Sequence, residues 1–257
     1  MYHFFAESSQ IGEKQICITG TDVNHIKHVL RMQPGEQVCV VDTDSGKEYR
    51  CEIAGYEEEM VNLNIMWVEE ANRELPAKIY LFQGLPKGDK METIIQKAVE
   101  LGAFEIVPVA TKRAVVKLDA KKAATKQKRW QSIAESAAKQ CKRNIIPQVH
   151  EVLKFSEAVD MAKEMDIVLI PYELADGMEE TQRQIERIRP GKTVGIFIGP
   201  EGGFEEAEIL LAKEAGICPI TLGKRILRTE TAGMTVLSVL MFQLECAQAA
   251  EQQRTEG

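Results

Sequence analysis

Two apolar runs, 194–198 and 218–222, each end in a loop rich in glycine or charge, and each loop leads into a helical pattern. Units of this kind restrict a chain to layers of helices on a sheet. The same alternation starts at residue 79. Strands are expected at 79–82, 106–109, 167–170, 194–198 and 219–222. Helices are expected at 90–101 (closed by Gly102), 120–142, 156–165, 179–188, 205–215 and 231–250. Strands alternating with helices predict an α/β domain with a largely parallel sheet. Such sheets bind ligands beyond the carboxyl ends of their strands. Ile198-Gly199-Pro200-Glu201-Gly202-Gly203-Phe204 and the loop from Leu222 to Ala232 therefore point at one small-molecule pocket, whose glycines allow close backbone approach.

Residues 1–72 follow a different pattern. Val61, Leu63, Ile65 and Trp67 alternate with polar neighbours, and Val38/Val40 and Ile16/Ile18 repeat this over shorter spans. Period-2 alternation marks half-buried strands, and the turn residues Pro34-Gly35, 42–46 and Gly55 between them suggest a small β-barrel. One helical interruption, 22–31, is expected to place Val23, Ile26, Val29 and Leu30 on one face. A polar, aperiodic stretch at 69–76 ends in Pro76 and reads as a linker. The expected organisation is a barrel over 1–72 and an α/β domain over 73–257.

Six scattered cysteines (17, 39, 51, 141, 218, 246) form no CxxC pair, which favours reduced, mostly buried thiols over disulfides or zinc. No signal-peptide pattern opens the chain. The longest apolar stretch, 232–244, is short for a membrane span, so a soluble cytoplasmic protein is expected. The net charge of −7 argues against nucleic acid, but its distribution does not. Segment 112–143 carries eleven Lys/Arg against Asp119 and Glu135, a local charge of +9. Such a stripe can hold phosphates; it also fits a solvated helix face. The last helix is apolar around much of its circumference, which suits either a core helix or a homodimer interface. Neither a P-loop nor G-x-G-x-x-G after the first strand is present.

Taken in order along the chain, several blocks resemble one family. They are His25-Ile26-Lys27-His28-Val29-Leu30-Arg31, Gln83 to Met91, Gln96 to Gly102, Arg129-Trp130 through Arg143, GPEGGF, and LGKRILRTETA. Together they resemble the SPOUT superfamily of methyltransferases, in particular the family that methylates N3 of a uridine in 16S rRNA. The one departure is Cys141, where that family has a small hydroxylic residue.

The resemblance implies a PUA-like barrel for RNA, then an α/β domain with a deep trefoil knot. It also implies a homodimer with S-adenosylmethionine at the knot. Its cofactor contacts would be Leu169, Pro171 and Glu173 in one loop and Ile198, Gly199, Pro200, Gly202 and Gly203 in a second. The third loop would add Leu222, Gly223, Ile226, Leu227, Arg228, Thr229, Thr231 and Ala232. His25, His28, Arg31, Lys87, Lys112, Arg113, Arg129 and Arg143 are the candidates to meet RNA, with packing the alternative for the two histidines, and no metal is expected. Trp130 reads as a packing anchor.

Uridine N3 is a poor nucleophile until its proton leaves, so such a site must help deprotonation or the charge that spreads to O2 and O4. Arg228 is the candidate for the charge, because a guanidinium is always ionised. Glu230 is a candidate base, although an acid in a first helical turn also favours the helix dipole, and Glu201 shares that ambiguity. Thr229 and Thr231 suit N-capping. A noncatalytic RNA-binding or ribosome-assembly protein and a metabolic α/β enzyme are the competing readings. The intact 222–232 loop favours an enzyme over the first, and the barrel and basic segment speak against the second.

Overall fold

The computed structural model describes residues 1–69, 72–173, 175 and 177–255. It divides into two compact units, Met1–Glu74 with Ser136–Ile146, and Leu75–Glu135 with Pro147–Gly257. Of the expected linker, Glu70 and Ala71 lie outside the described residues.

The first unit holds β1 (Tyr2–Ala6), β2 (Gln15–Thr19), β3 (Gln37–Asp42), β4 (Glu48–Tyr56) and β5 (Met60–Glu69), in the order β1-β3-β4-β5-β2. Only β1 and β3 pair in parallel. β1 and β4 escaped the sequence reading. Alternation puts Phe4, Ile16, Ile18, Val38, Val40, Cys51, Ile53, Val61 and Leu63 into one core. The alternation expected through Trp67 breaks, however. Arg50 pairs with Trp67 while Cys51 pairs with Ile65, so Met66 is an extra residue and Trp67 ends 49% exposed.

The helix expected at 22–31 is also irregular. α1 (Thr21–Asn24) gives way to a π-helical turn, His25–Val29. The wider turn rotates the later side chains, so Val23 and Ile26 are buried but Val29 is exposed.

In the second unit every strand pairing is parallel. Its strands are β6 (Lys78–Gly84), β7 (Glu105–Ala110), β8 (Gln148–Val149), β9 (Leu153–Lys154), β10 (Ile167–Pro171), β11 (Thr193–Ile198) and β12 (Cys218–Ile220). The order is β12-β10-β11-β6-β7-β8, with β9 also on β7. From β6 the chain builds outward through β7. It then crosses to β10, returns to place β11 beside β6, and adds β12 outside β10. Strand order thus reverses between β6 and β11, the kind of switch point near which open α/β sheets bind ligands. Phe82 and Phe197, partners in register, stack there with centroids 4.4 Å apart.

The helices are α2 (Lys90–Glu100), α3 (Ala120–Cys141), α4 (Phe155–Ala162), α5 (Met178–Glu186), α6 (Glu206–Glu214) and α7 (Thr229–Thr255). Along α3, residues up to Glu135 group with the second unit and those from Ser136 with the first. By length and composition α7 could cross a membrane. Val236, Leu237, Leu240 and Leu244 are nevertheless buried, and the helix packs on α2 and β11. None of the six cysteines is in a disulfide; only Cys39 and Cys51 are buried, fewer than expected, and Cys246 is exposed.

Candidate active site

At the carboxyl ends of β10, β11 and β12 the second unit opens a cleft of about 1050 Å³. It is lined by the loops after those three strands, together with Lys90 and Arg113. The middle loop is shaped by close approach. A Cβ on Gly199 would meet Gly203 Cα at 3.1 Å and the Phe204 ring at 3.2 Å, and one on Gly84 would lie 2.6 Å from Pro200 Cδ. Real side chains do not tolerate the second distance, so glycine at the end of β6 lets Pro200 seat.

Thr229 fastens this loop to the start of α7. Its hydroxyl donates to the Gly199 carbonyl (2.6 Å) and accepts from Gln83 Nε2 (2.9 Å). Expected as an N-cap, Thr229 is instead the first residue of α7, and its side chain bonds across to another loop. Thr231 is exposed and does not line the cleft, and its carbonyl accepts from Thr235. Leu169 is fully buried within β10 between β11 and β12, so its side chain is core. The other fourteen residues expected at a cofactor all line the cleft.

The third loop is suited to receiving a ligand. Among the described residues, the backbone amides and carbonyls of Lys224, Arg225, Ile226 and Leu227 have no hydrogen-bond partner. The Ile226 side chain is 84% exposed. Unpaired main-chain groups beside an aliphatic side chain match what a heterocycle with polar edges requires.

Charge is concentrated at one end. Lys90, the first residue of α2, lies 3.0 Å from Glu201 Oε1 and 3.3 Å from Glu230 Oε2. Contact with Glu201, then Glu230, raises the Lys90 pKa above its ordinary value. Burial alone would raise the Glu201 carboxyl, but Lys90 and the Lys87 amide outweigh it and hold the carboxyl below its usual range. Glu230 Oε2 is enclosed and has no well-formed hydrogen bond, so its link to Lys90 is an ion pair. Arg228 lines the cleft exposed, and its guanidinium has no partner among the described residues.

A family model described as RNA methyltransferase domain matches residues 73–241, and one described as RNA methyltransferase PUA domain matches residues 18–58. The chain is 41% identical over 252 residues to ribosomal RNA small subunit methyltransferase E of Bacillus subtilis, covering 95% of this chain and 98% of that one. The chain belongs to the ribosomal RNA small subunit methyltransferase E family. A Neisseria gonorrhoeae family member solved with bound S-adenosyl methionine is 31% identical, with a TM-score of 0.80 and coverage of 95% and 98%. A putative methyltransferase of Legionella pneumophila, solved with its bound cofactor SAM, is 35% identical, with a TM-score of 0.82 and coverage of 94% and 97%.

The residues expected at RNA are dispersed in this family member. His25, His28 and Arg31 are exposed in the first unit, on and just after the π turn. In the second unit Lys87 and Lys112 are exposed, and Arg113 donates to the Gly202 carbonyl at 3.2 Å. Arg129 is exposed but paired with Glu92 at 2.8 Å. Arg143 is a correction: it is 4% exposed, and its guanidinium is taken by Glu74, so it has no face to offer a phosphate. Trp130 is 3% exposed, as an anchor should be. Lys90 and Gln83 are site residues that were not expected, although both sit in the Gln83 to Met91 block that carried the resemblance. A lysine at a helix start, against the dipole, was the available signal.

Proposed function

We propose that the protein transfers a methyl group from S-adenosylmethionine to N3 of a uridine in the 16S rRNA of the small ribosomal subunit. The observation that carries this reading is the convergence of three loops on one cleft, with an unpaired Arg228 among them, in a member of this family. The cofactor fits the residues present. Pro171, Glu173, Gly199, Gly203, Leu222 and Ile226 would hold it, with the unpaired backbone groups of 224–227 facing its polar edges. When bound, S-adenosylmethionine supplies an electrophilic methyl on a sulfonium, whose sulfur keeps the electron pair of the breaking bond.

The chain's own task is alignment and charge. A rigid pocket sets the reacting atoms in line, which accounts for much of such a rate enhancement. The Arg228 guanidinium offers permanently charged donors to the anionic uracil. We further assign residues 1–72 as the RNA-binding domain and 73–257 as the catalytic domain, and place the protein in the cytoplasm with its ribosomal substrate. The return of β11 beside β6, with Thr229 pinned under Gly199, supports a knotted path. The exposed Val239 and Phe242, one turn apart on α7, support a homodimer.

The test is labelled S-adenosylmethionine with small subunits from a strain lacking the gene, read by nucleoside mass spectrometry. New 3-methyluridine, lost with Arg228→Ala, is the expected result. Absence of cofactor binding overturns the enzyme reading, and a different methylated nucleoside overturns the position.

A further inference from the structure

We propose that Lys90 is a catalytic cation of this site. Its ammonium binds a carbonyl oxygen of the target uracil and makes N3 acidic, while Glu201 and Glu230 are positioning residues that act through it. The inference deepens the proposed uridine methylation and rests on that reading.

Lys90 opens α2, where the helix dipole is positive and a cation is disfavoured. A lysine survives there because two carboxylates hold it: Glu201 from the loop after β11 at 3.0 Å, and Glu230 from the first turn of α7 at 3.3 Å. Yet its side chain remains 32% exposed and lines the cleft, so the ammonium has donor capacity left on the open side. Glu230, by contrast, does not line the cleft, and its Oε2 is enclosed beside Lys90. Glu201 is occupied twice over, by Lys90 and by the Lys87 amide. Neither acid is placed as a free base for substrate, whereas Lys90 is placed as a donor. Facing it are Glu201 and Glu230, with Asp89 preceding it in the chain; Arg113, Glu173 and Arg228 line the same cleft.

Deprotonation of uridine leaves an electron pair on N3 whose charge spreads to O2 and O4. An ammonium hydrogen-bonded to either oxygen stabilises that anion more than the neutral base, so the N3 proton leaves to solvent at lower pH. The N3 pair then forms the new bond to the methyl carbon as the carbon–sulfur bond breaks, its electrons staying on sulfur. Lys90 keeps its proton throughout, and the two carboxylates keep it ionised.

The experiment measures single-turnover methylation of small subunits against pH for the parent, Lys90→Met, Lys90→Arg and Glu230→Gln, together with S-adenosylmethionine binding by calorimetry. Lys90→Met is expected to lower the rate at pH 7 at least 100-fold while leaving cofactor affinity within about threefold. Its rate should climb with pH beyond the point where the parent levels off. Lys90→Arg should restore part of the rate. Subunits assembled with 5-fluorouridine, whose N3 is more acidic, should rescue Lys90→Met selectively. Glu230→Gln should show a milder form of the same profile.

A Lys90→Met rate that falls without any change in pH profile or fluorouridine rescue overturns the inference, as does a rate near that of the parent. A Glu230→Gln loss exceeding that of Lys90→Met, with the same rescue, makes Glu230 the base and overturns it too. If the parent forms no 3-methyluridine, the functional reading itself has failed, and this inference fails with it.

Discussion

Single side chains govern how well this site is built. Thr229 is the plainest case, since one buried hydroxyl ties the Gly199 carbonyl to Gln83. Thr229→Val keeps the shape but removes the bond to the Gly199 carbonyl and one of the two that the buried Gln83 amide donates, a cost of about 1–3 kcal/mol. Urea unfolding should show that loss, and the KM for S-adenosylmethionine should rise, with Thr229→Ser close to the parent in both. His3 controls pH dependence instead. Burial first, then Arg73 and Arg50, lower its pKa to about 4 despite the opposing Glu48. The unfolded chain therefore takes up the proton first. Stability is complete above pH 6.5 and falls as the pH drops toward 4, by about 3 kcal/mol for a shift of this size. His3→Phe should flatten the urea midpoint over that window, while the parent's midpoint declines.

At the level of elements, ion pairs decide which basic residues remain available. The segment 112–143 reads as a uniform stripe, but the fold sorts it. Lys121 and Lys128 are exposed on α3, whereas Arg143 is buried on Glu74, whose carboxylate also accepts from the Asn144 amide at 2.9 Å. Removing one partner of a buried pair strands the other charge. Arg143→Met should destabilise the protein by about 3–5 kcal/mol in urea unfolding. The salt dependence of RNA binding should stay unchanged, and a shift in its slope would return Arg143 to the phosphate contacts. The loop after β11 offers a second test. Gly84→Ala pushes a methyl into Pro200, so the loop must move, and cofactor affinity should drop at least tenfold by calorimetry.

For the whole molecule, the exposed part of α7 is the feature to test. Val239 is 43% and Phe242 69% exposed on a helix whose other face is core. Apolar side chains one turn apart suit a partner surface. Phe242→Asp should convert a dimer to a monomer in sedimentation while leaving the far-UV spectrum intact; a parent protein that sediments as a monomer would overturn that expectation.

Much of this was legible in the residues. Periodicity is local, so the alternation of strands and helices from residue 79 onward was readable, as were the loops that end β11 and β12. Fourteen of the sixteen expected cofactor residues line the cleft for the same reason. What failed to read out was set by neighbours distant in sequence. The bulge at Met66 depends on the register between β4 and β5, and the burial of Arg143 depends on Glu74. The meeting of Lys90, Glu201 and Glu230 depends on β11 returning beside β6. Sequence alone determined the longer strands, the helices and the binding loops from residue 79 onward, because backbone preference and hydrophobic period act over a few residues; β1, β4 and the two-residue β8 and β9 carry too little of that period to be read. The tertiary structure decided which charges are paired, buried or left facing the cleft, because an ion pair needs two side chains within about 4 Å, and only the folded sheet brings residues a hundred positions apart to that distance.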